Sequence, residues 1–391
     1  MPTRKRSQRH LGEQGDGGLS VARATGSYVF DTRGKRYVDF VMGWCVGNFG
    51  WGDPVLERRI ERFRGPDYVY PEYQYRPWEE LATLLTRITP GNLTKCFRAT
   101  GGSEAVELAI QAAMLHTKRH AFVSLEESYH GNTFGAMSVA GSEYREKFPR
   151  LLPNCHKITP PLDDVALDRI ETRLKRRDVA AFIMEPVSIN LGVCVPEPGF
   201  MEGLRALCTR YRTLLILDEV ACGFGRTGKI FATEHFDIEP DMLCVAKAIS
   251  GGVAGMGAML ATAEVGESME ERGEFYSTYG WHPRSTDVAI ASLRRILREK
   301  RALLAQVDAT SMYFRDRIAA IQFGSKLTLN MLGLAIGLHF EDDDYGDELA
   351  DRCRRNGLLV ASQSGAVLLL PALNIDRRVA TRGLDILEES A

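Results

Sequence analysis

The chain has 391 residues, enough to bury a large core and well beyond the ~150 usual for one domain, so two or more lobes are expected. Its 45% hydrophobic and 26% charged residues suit a globular protein, and a net charge of -2 gives no general basis for binding nucleic acid or a membrane surface. The 8 cysteines stand singly, with no C-x-x-C pair and no histidine cluster at metal-ligand spacing, which points to reduced thiols and away from a metal site.

In chain order, residues 1–24 are basic at first and carry no apolar core of a signal peptide, so they read as a flexible arm. No stretch approaches the ~18 uninterrupted apolar residues of a membrane helix, and a cytoplasmic protein is expected. Apolar residues on both sides of Thr32-Arg-Gly-Lys35 predict a hairpin, Tyr28–Asp31 with Lys35–Phe40. The stretch Met42–Gly52 is too rich in glycine for regular structure and reads as a loop lining a site. From about 60 to 290, helical patterns alternate with short apolar strands at 121–124, 180–184, 214–217 and 257–261, which implies a mostly parallel sheet covered by helices. A long helix from Pro283 to about Phe323 leads to a small α+β lobe built from 334–340, 366–370 and a helix opened by Asp376. The expected division is an arm over 1–24, a segment over 25–60 that joins the small domain, a large domain over 61–290 and a small domain over 291–391.

Chemistry concentrates around Lys247 and Asp218. Asp218 ends the apolar run 214–217, placing its carboxylate at the carboxyl end of a strand, where open α/β sheets bind ligands. Lys247 sits among Val245, Ala246, Ala248 and Ile249, a setting in which desolvation favours a nucleophilic amine. Pyridoxal phosphate needs an amine to hold its aldehyde as a Schiff base and a carboxylate to keep its ring nitrogen protonated, and this pair supplies both. Thr100-Gly-Gly-Ser103 opens a helix whose residues 105, 106, 109, 110, 113 and 114 share one face. Unpaired N–H groups there favour an anion such as a phosphate. Taken singly, each feature also has a plain structural reading: a helix cap for the glycines, a cap for the carboxylate, a solvated lysine, and a core aromatic for Tyr129.

Read together and in order, Thr100–Glu107, Tyr129-His-Gly131, Glu185-Pro186, Asp218-Glu-Val220, Gly223–Gly228, Lys247 and Thr278–Pro283 resemble the class III, omega-type aminotransferases from about residue 25 to the C-terminus. The resemblance implies an α/β fold of the aspartate aminotransferase type, PLP fold type I, with pyridoxal 5'-phosphate as cofactor. It further implies that Lys247 forms the internal Schiff base and Asp218 pairs with the ring nitrogen. Val220 and Tyr129 would cover the two ring faces, and Gly102 and Ser103 would donate to the phosphate. Thr278 matches a threonine that reaches the neighbouring subunit's cofactor, so a homodimer or dimer of dimers with its active site at the interface is expected.

The chain departs from the family pattern at several places. Where glutamate-using members carry a carboxylate-binding arginine and its glutamate partner, this chain has Leu368 and Asn190, which puts glutamate as donor in question. Ala221 replaces a usual glutamine, and Trp44 stands where relatives have a substrate-facing aromatic, which reads either as a bulky substrate pocket or as packing between lobes. The expected reaction is transamination between a primary amine or amino acid and an aldehyde or keto acid. An aminomutase, racemase or decarboxylase would use the same two residues, and a catalytically idle binding protein is the rival from another class.

Overall fold

The computed structural model describes residues 19–391 apart from 274 and 364, so most of the N-terminal arm lies outside the described residues. The last part of that expected arm is not an arm. Val21–Thr25 is a strand paired antiparallel with Tyr28–Asp31. The sequence hid it because its residues are almost all exposed and show no apolar face.

The central sheet runs in the order Lys95–Ala99, Gly257–Ala261, Met242–Val245, Leu214–Asp218, Val179–Met184, Ala121–Leu125 and Cys155–Ile158. Only Gly257–Ala261 is antiparallel to its neighbours; the others run one way. Strands buried on both faces read as continuous apolar runs, as Val179-Ala-Ala-Phe-Ile-Met184 does. The helix Gly102–Thr117 covers one face through Val106, Ala109 and Ala113, and the helices Asp164–Leu174 and Phe200–Tyr211 cover the other through Ile170, Leu174 and Leu204. All the parallel strands therefore empty their carboxyl ends toward one side of the molecule, and the residues just past those ends converge there.

The helix Pro283–Ala320 opens on a proline at its first position, where no N–H is needed, and ends three residues short of the expected limit. It links the large sheet to an antiparallel sheet of Leu327–Leu332, Ala335–Phe340, Ala366–Leu369 and Ala361–Gln363. A third sheet joins the chain's two ends: Leu358–Leu359 pairs in parallel with Arg36–Asp39 of the N-terminal hairpin. Asp376 caps the last helix, Arg377–Ser390, by accepting from the Arg378 N–H, as the sequence indicated.

Two internal fixtures hold these parts against the central sheet. Arg226 is fully buried; its Nη1 donates to the carbonyls of Leu334 (3.0 Å) and Pro371 (2.6 Å), and its Nη2 to Asn48 Oδ1 (2.7 Å). Met42–Cys45, in the glycine-rich stretch, forms a single turn in which all four residues have positive φ, between 47° and 66°. Left-handed backbone costs roughly 1–2 kcal/mol per non-glycine residue, so something must hold the turn. The buried Asp39 carboxylate does so, accepting from the N–H groups of Val41 and Met42 and from Trp51 Nε1 at 2.8–2.9 Å.

Candidate active site

A cavity of about 320 Å³ opens where the strand ends converge. Each wall comes from a different strand. Thr100–Ser103 follow Lys95–Ala99, Tyr129 and His130 follow Ala121–Leu125, and Glu185 follows Val179–Met184. Asp218 and Val220 come from the end of Leu214–Asp218, and Lys247 from just past Met242–Val245. Lys247, Asp218, Gly102, Ser103, Tyr129 and Val220 thus line one cavity, although 145 positions separate Gly102 from Lys247.

Asp218 is 3% exposed and hydrogen-bonded on both oxygens, each with acceptor capacity to spare: Oδ1 accepts from the Val220 N–H at 3.0 Å and Oδ2 from His130 Nδ1 at 2.7 Å. His130 therefore carries its proton on Nδ1, and its buried Nε2 has no partner among the described residues. No role for His130 was visible in the sequence, where a histidine beside Tyr129 has nothing to separate it from an ordinary core residue. Lys247 has φ +45°, a conformation a non-glycine residue adopts only when its surroundings impose it. Buried neighbours on both sides, Val245, Ala246, Ala248 and Ile249, fix that backbone and leave the amine facing the cavity.

The helix Gly102–Thr117 begins at the cavity, and among the described residues no side chain caps its first N–H groups. A Cβ at Gly102 would stand 3.0 Å from Val220 Cγ1 and fill the space between the helix start and the strand end. Asn132 N–H donates to Ser103 Oγ at 3.1 Å and ties the loop after Tyr129 to the same helix start. Uncapped N–H groups, a glycine cradle, an amine and a buried carboxylate in one cavity match the donor set that pyridoxal phosphate requires.

Two predicted residues lie elsewhere. Thr278 is exposed in the turn that precedes the long helix, outside this cavity. Trp44 is half-buried against an apolar cluster that includes Ile189, Ala221 and Leu368, and its Nε1 is buried without a partner among the described residues. Leu368 itself is fully buried in that cluster, whereas Asn190 lines the cavity and donates from Nδ2 to Glu185 Oε2 at 3.2 Å.

The loop carrying Glu185 and Asn190 is gripped from behind. His339 Nε2 donates to Gly192 O at 2.7 Å, and the Gly337 Cα packs so closely that a methyl there would overlap the same carbonyl. Gly337→Ala is expected to destabilise the protein by roughly 1–3 kcal/mol, as overpacking does, and to displace the Asn190 loop. Chemical denaturation of the variant measures the first effect; unchanged stability would mean that the strand yields freely.

A larger cavity, about 670 Å³, opens at the opposite end of the sheet beside Arg119, Arg205 and Asp241. It holds no lysine among its lining residues, and Arg205 is already paired with Asp241 at 2.7 Å.

This architecture, a mostly parallel seven-stranded sheet with a small α+β lobe, is that of pyridoxal phosphate-dependent transferases. It is shared with the taurine:2-oxoglutarate aminotransferase of Bifidobacterium kashiwanohense, solved with PLP and glutamate, at a TM-score of 0.89 and 25% identity over 98% of this chain and 94% of that one. An omega transaminase from Pseudomonas jessenii, solved with PMP, has the same fold at a TM-score of 0.89 and 23% identity over 95% and 92% of the two chains. The class III aminotransferase model matches residues 13–390, and the chain belongs to that family. It is 34% identical to an acetylornithine aminotransferase of Methanosarcina mazei over 95% of this chain and 91% of the relative. It is 31% identical to a putrescine aminotransferase of Pectobacterium atrosepticum over 95% and 82%. The protein is a pyridoxal phosphate-using transaminase that moves an amino group between amines and keto acids.

Proposed function

We propose that Lys247 and Asp218 are the two catalytic residues, carried by one observation: both face the cavity into which the uncapped start of the Gly102 helix points. When bound, the cofactor supplies an electron sink that makes the substrate's C–H bond acidic. The chain's residues do the rest. Lys247 would hold the cofactor at its aldehyde and, as a free amine, would carry the proton to and from the substrate carbon. Asp218, oriented by His130 and the Val220 N–H, keeps the ring nitrogen protonated. Gly102 and Ser103 would hold the phosphate through their N–H groups, while Val220 and Tyr129, which line the same cavity, would flank the ring.

The active unit is read as a homodimer, or a dimer of such dimers, in the cytoplasm, with Thr278 donating to the phosphate in the partner's site. Thr278 lies beside the exposed Tyr68, Tyr276 and Tyr279, and a cluster of exposed aromatics suits an interface. Thr278→Ala is then expected to weaken cofactor retention roughly ten-fold or more, the loss of one hydrogen bond to a charged group. Equilibrium dialysis against pyridoxal phosphate measures it, and unchanged retention would remove Thr278 from the site. The domain division follows the same reading: a large domain over 61–290, and a small one over 291–391 that takes in 25–60, supported by the pairing of Leu358 with Val38. With Leu368 sealed in an apolar cluster, recognition of the amino donor does not rest on a cation at that position.

The test is an absorption spectrum of the purified protein with pyridoxal phosphate, before and after addition of a panel of amines and amino acids. A visible band that converts to the amine form of the cofactor, with release of a carbonyl product, supports the assignment and identifies the donor. Conversion without carbonyl release would refute transamination.

A further inference from the structure

Glu185 shares the cavity with Lys247 and Asp218 and has no part in the roles above. Its side chain is buried, and every donor that reaches it converges on one oxygen: Ser188 Oγ at 2.8 Å, Asn190 Nδ2 at 3.2 Å and the Asn190 N–H at 3.4 Å, all to Oε2. No described residue donates to Oε1. Oε1 is not among the fully buried atoms without a partner, so on this cavity-lining carboxyl it is the oxygen open to the cavity and free to take a partner there.

The order of the sheet says where that partner lies. Asp218 ends one strand; Lys247 and, further out, Gly102 follow strands on one side of it, and Glu185 follows the strand on the other. In pyridoxal phosphate the ring nitrogen and the aldehyde carbon are para, and the phosphate arm and the phenolic oxygen flank the aldehyde carbon on opposite edges. Asp218 and Lys247 set the para axis and Gly102–Ser103 the phosphate edge. The phenolic oxygen therefore falls toward the wall of Glu185, Asn190 and Ala221, where the Ala221 methyl offers no donor.

We propose that Glu185 is the hydrogen-bond donor to the cofactor's phenolic oxygen, through a proton held on Oε1, and so tunes the ionisation of the bound cofactor. The inference rests on the reading in which Lys247, Asp218 and Gly102–Ser103 anchor that cofactor. Burial first, and the Asp218 carboxylate second, push the Glu185 carboxyl up to about 7, against the opposing pull of Ser188, His130 and Lys247. The remaining titratable groups that face it, Cys45, Cys194 and Cys222, are thiols that burial holds above their ordinary range, hence neutral. The carboxyl is thus half protonated near neutrality, and a phenolate on Oε1 would hold the proton to higher pH still.

The experiment records the visible band of the cofactor-loaded wild type, Glu185→Gln and Glu185→Ala, without substrate, over about two pH units either side of neutrality. The wild-type band is expected to change in a step at or above pH 7. Glu185→Gln keeps an N–H donor but has nothing to titrate, so its band should stay near the wild-type position and lose the step. Glu185→Ala should lose the step and shift the band as well. If either variant titrates like the wild type, the inference is overturned while the assignment of Lys247 stands. A wild-type protein with no visible band overturns that assignment and this inference with it. The isosteric glutamine retains the acceptor for Ser188 and Asn190, so Glu185→Gln decides the matter even if the alanine variant fails to fold.

Discussion

Replacing Lys247 with alanine is expected to reduce turnover by about 10³-fold or more while leaving the fold intact. The proposed role loads two tasks on one amine, covalent attachment of the cofactor and proton transfer at the substrate carbon, and a positioned acid–base group alone contributes roughly 10²–10⁴. The losses do not add as independent factors, because both belong to one residue acting in one sequence of steps. Folding should hardly notice. No hydrogen bond or ion pair of Lys247 appears among the described residues, and alanine meets the same left-handed backbone cost at φ +45° that lysine does. The spectrum separates chemistry from structure: pyridoxal phosphate should still bind through the Gly102 helix start and Asp218, but as the free aldehyde and not as a covalent adduct. A small exogenous amine should restore part of the turnover. A variant that kept a tenth of wild-type activity would refute the assignment.

What the sequence made legible follows from what each kind of signal reports. The doubly buried strands were readable because Val179–Met184 and Leu214–Asp218 are unbroken apolar runs, and their order among helical patterns fixed a parallel sheet. From that, Asp218 at a strand end and Gly102 at a helix start fall on one side of the sheet. The strand Val21–Thr25 was not readable, since an exposed strand has no apolar face to betray it. Nor was the left-handed turn at 42–45. Glycine content announces irregularity, but it does not reveal that the Asp39 carboxylate, itself held by Trp51 Nε1, accepts from the Val41 and Met42 N–H groups and fixes the turn. His130 and the bare oxygen of Glu185 belong to the same category: each is defined by what it does or does not touch, and spacing along the chain carries no record of that.

Replacing Asp218 with asparagine is expected to lower turnover by roughly 10²–10³-fold, the scale on which removal of one preorganised charge from a buried site acts. The isostere preserves shape, so the effect is electrostatic and can be followed group by group. An amide oxygen can still accept from the Val220 N–H, whereas the amide nitrogen now meets His130 Nδ1, which in the wild type is itself a donor. His130 must then move its proton to Nε2, the buried nitrogen without a partner among the described residues. The ring nitrogen loses its anion, the histidine loses its acceptor, and neither change removes a side chain from the core. Stability should therefore fall little while kcat falls steeply. A cofactor analogue with a permanent positive charge on the ring nitrogen discriminates the proposed role from a structural one. If Asp218 acts by holding a proton on that nitrogen, the analogue should restore turnover in the asparagine variant and give the wild type nothing. If the analogue fails to rescue, the carboxylate is needed for the geometry around His130, and the assignment at the ring nitrogen falls.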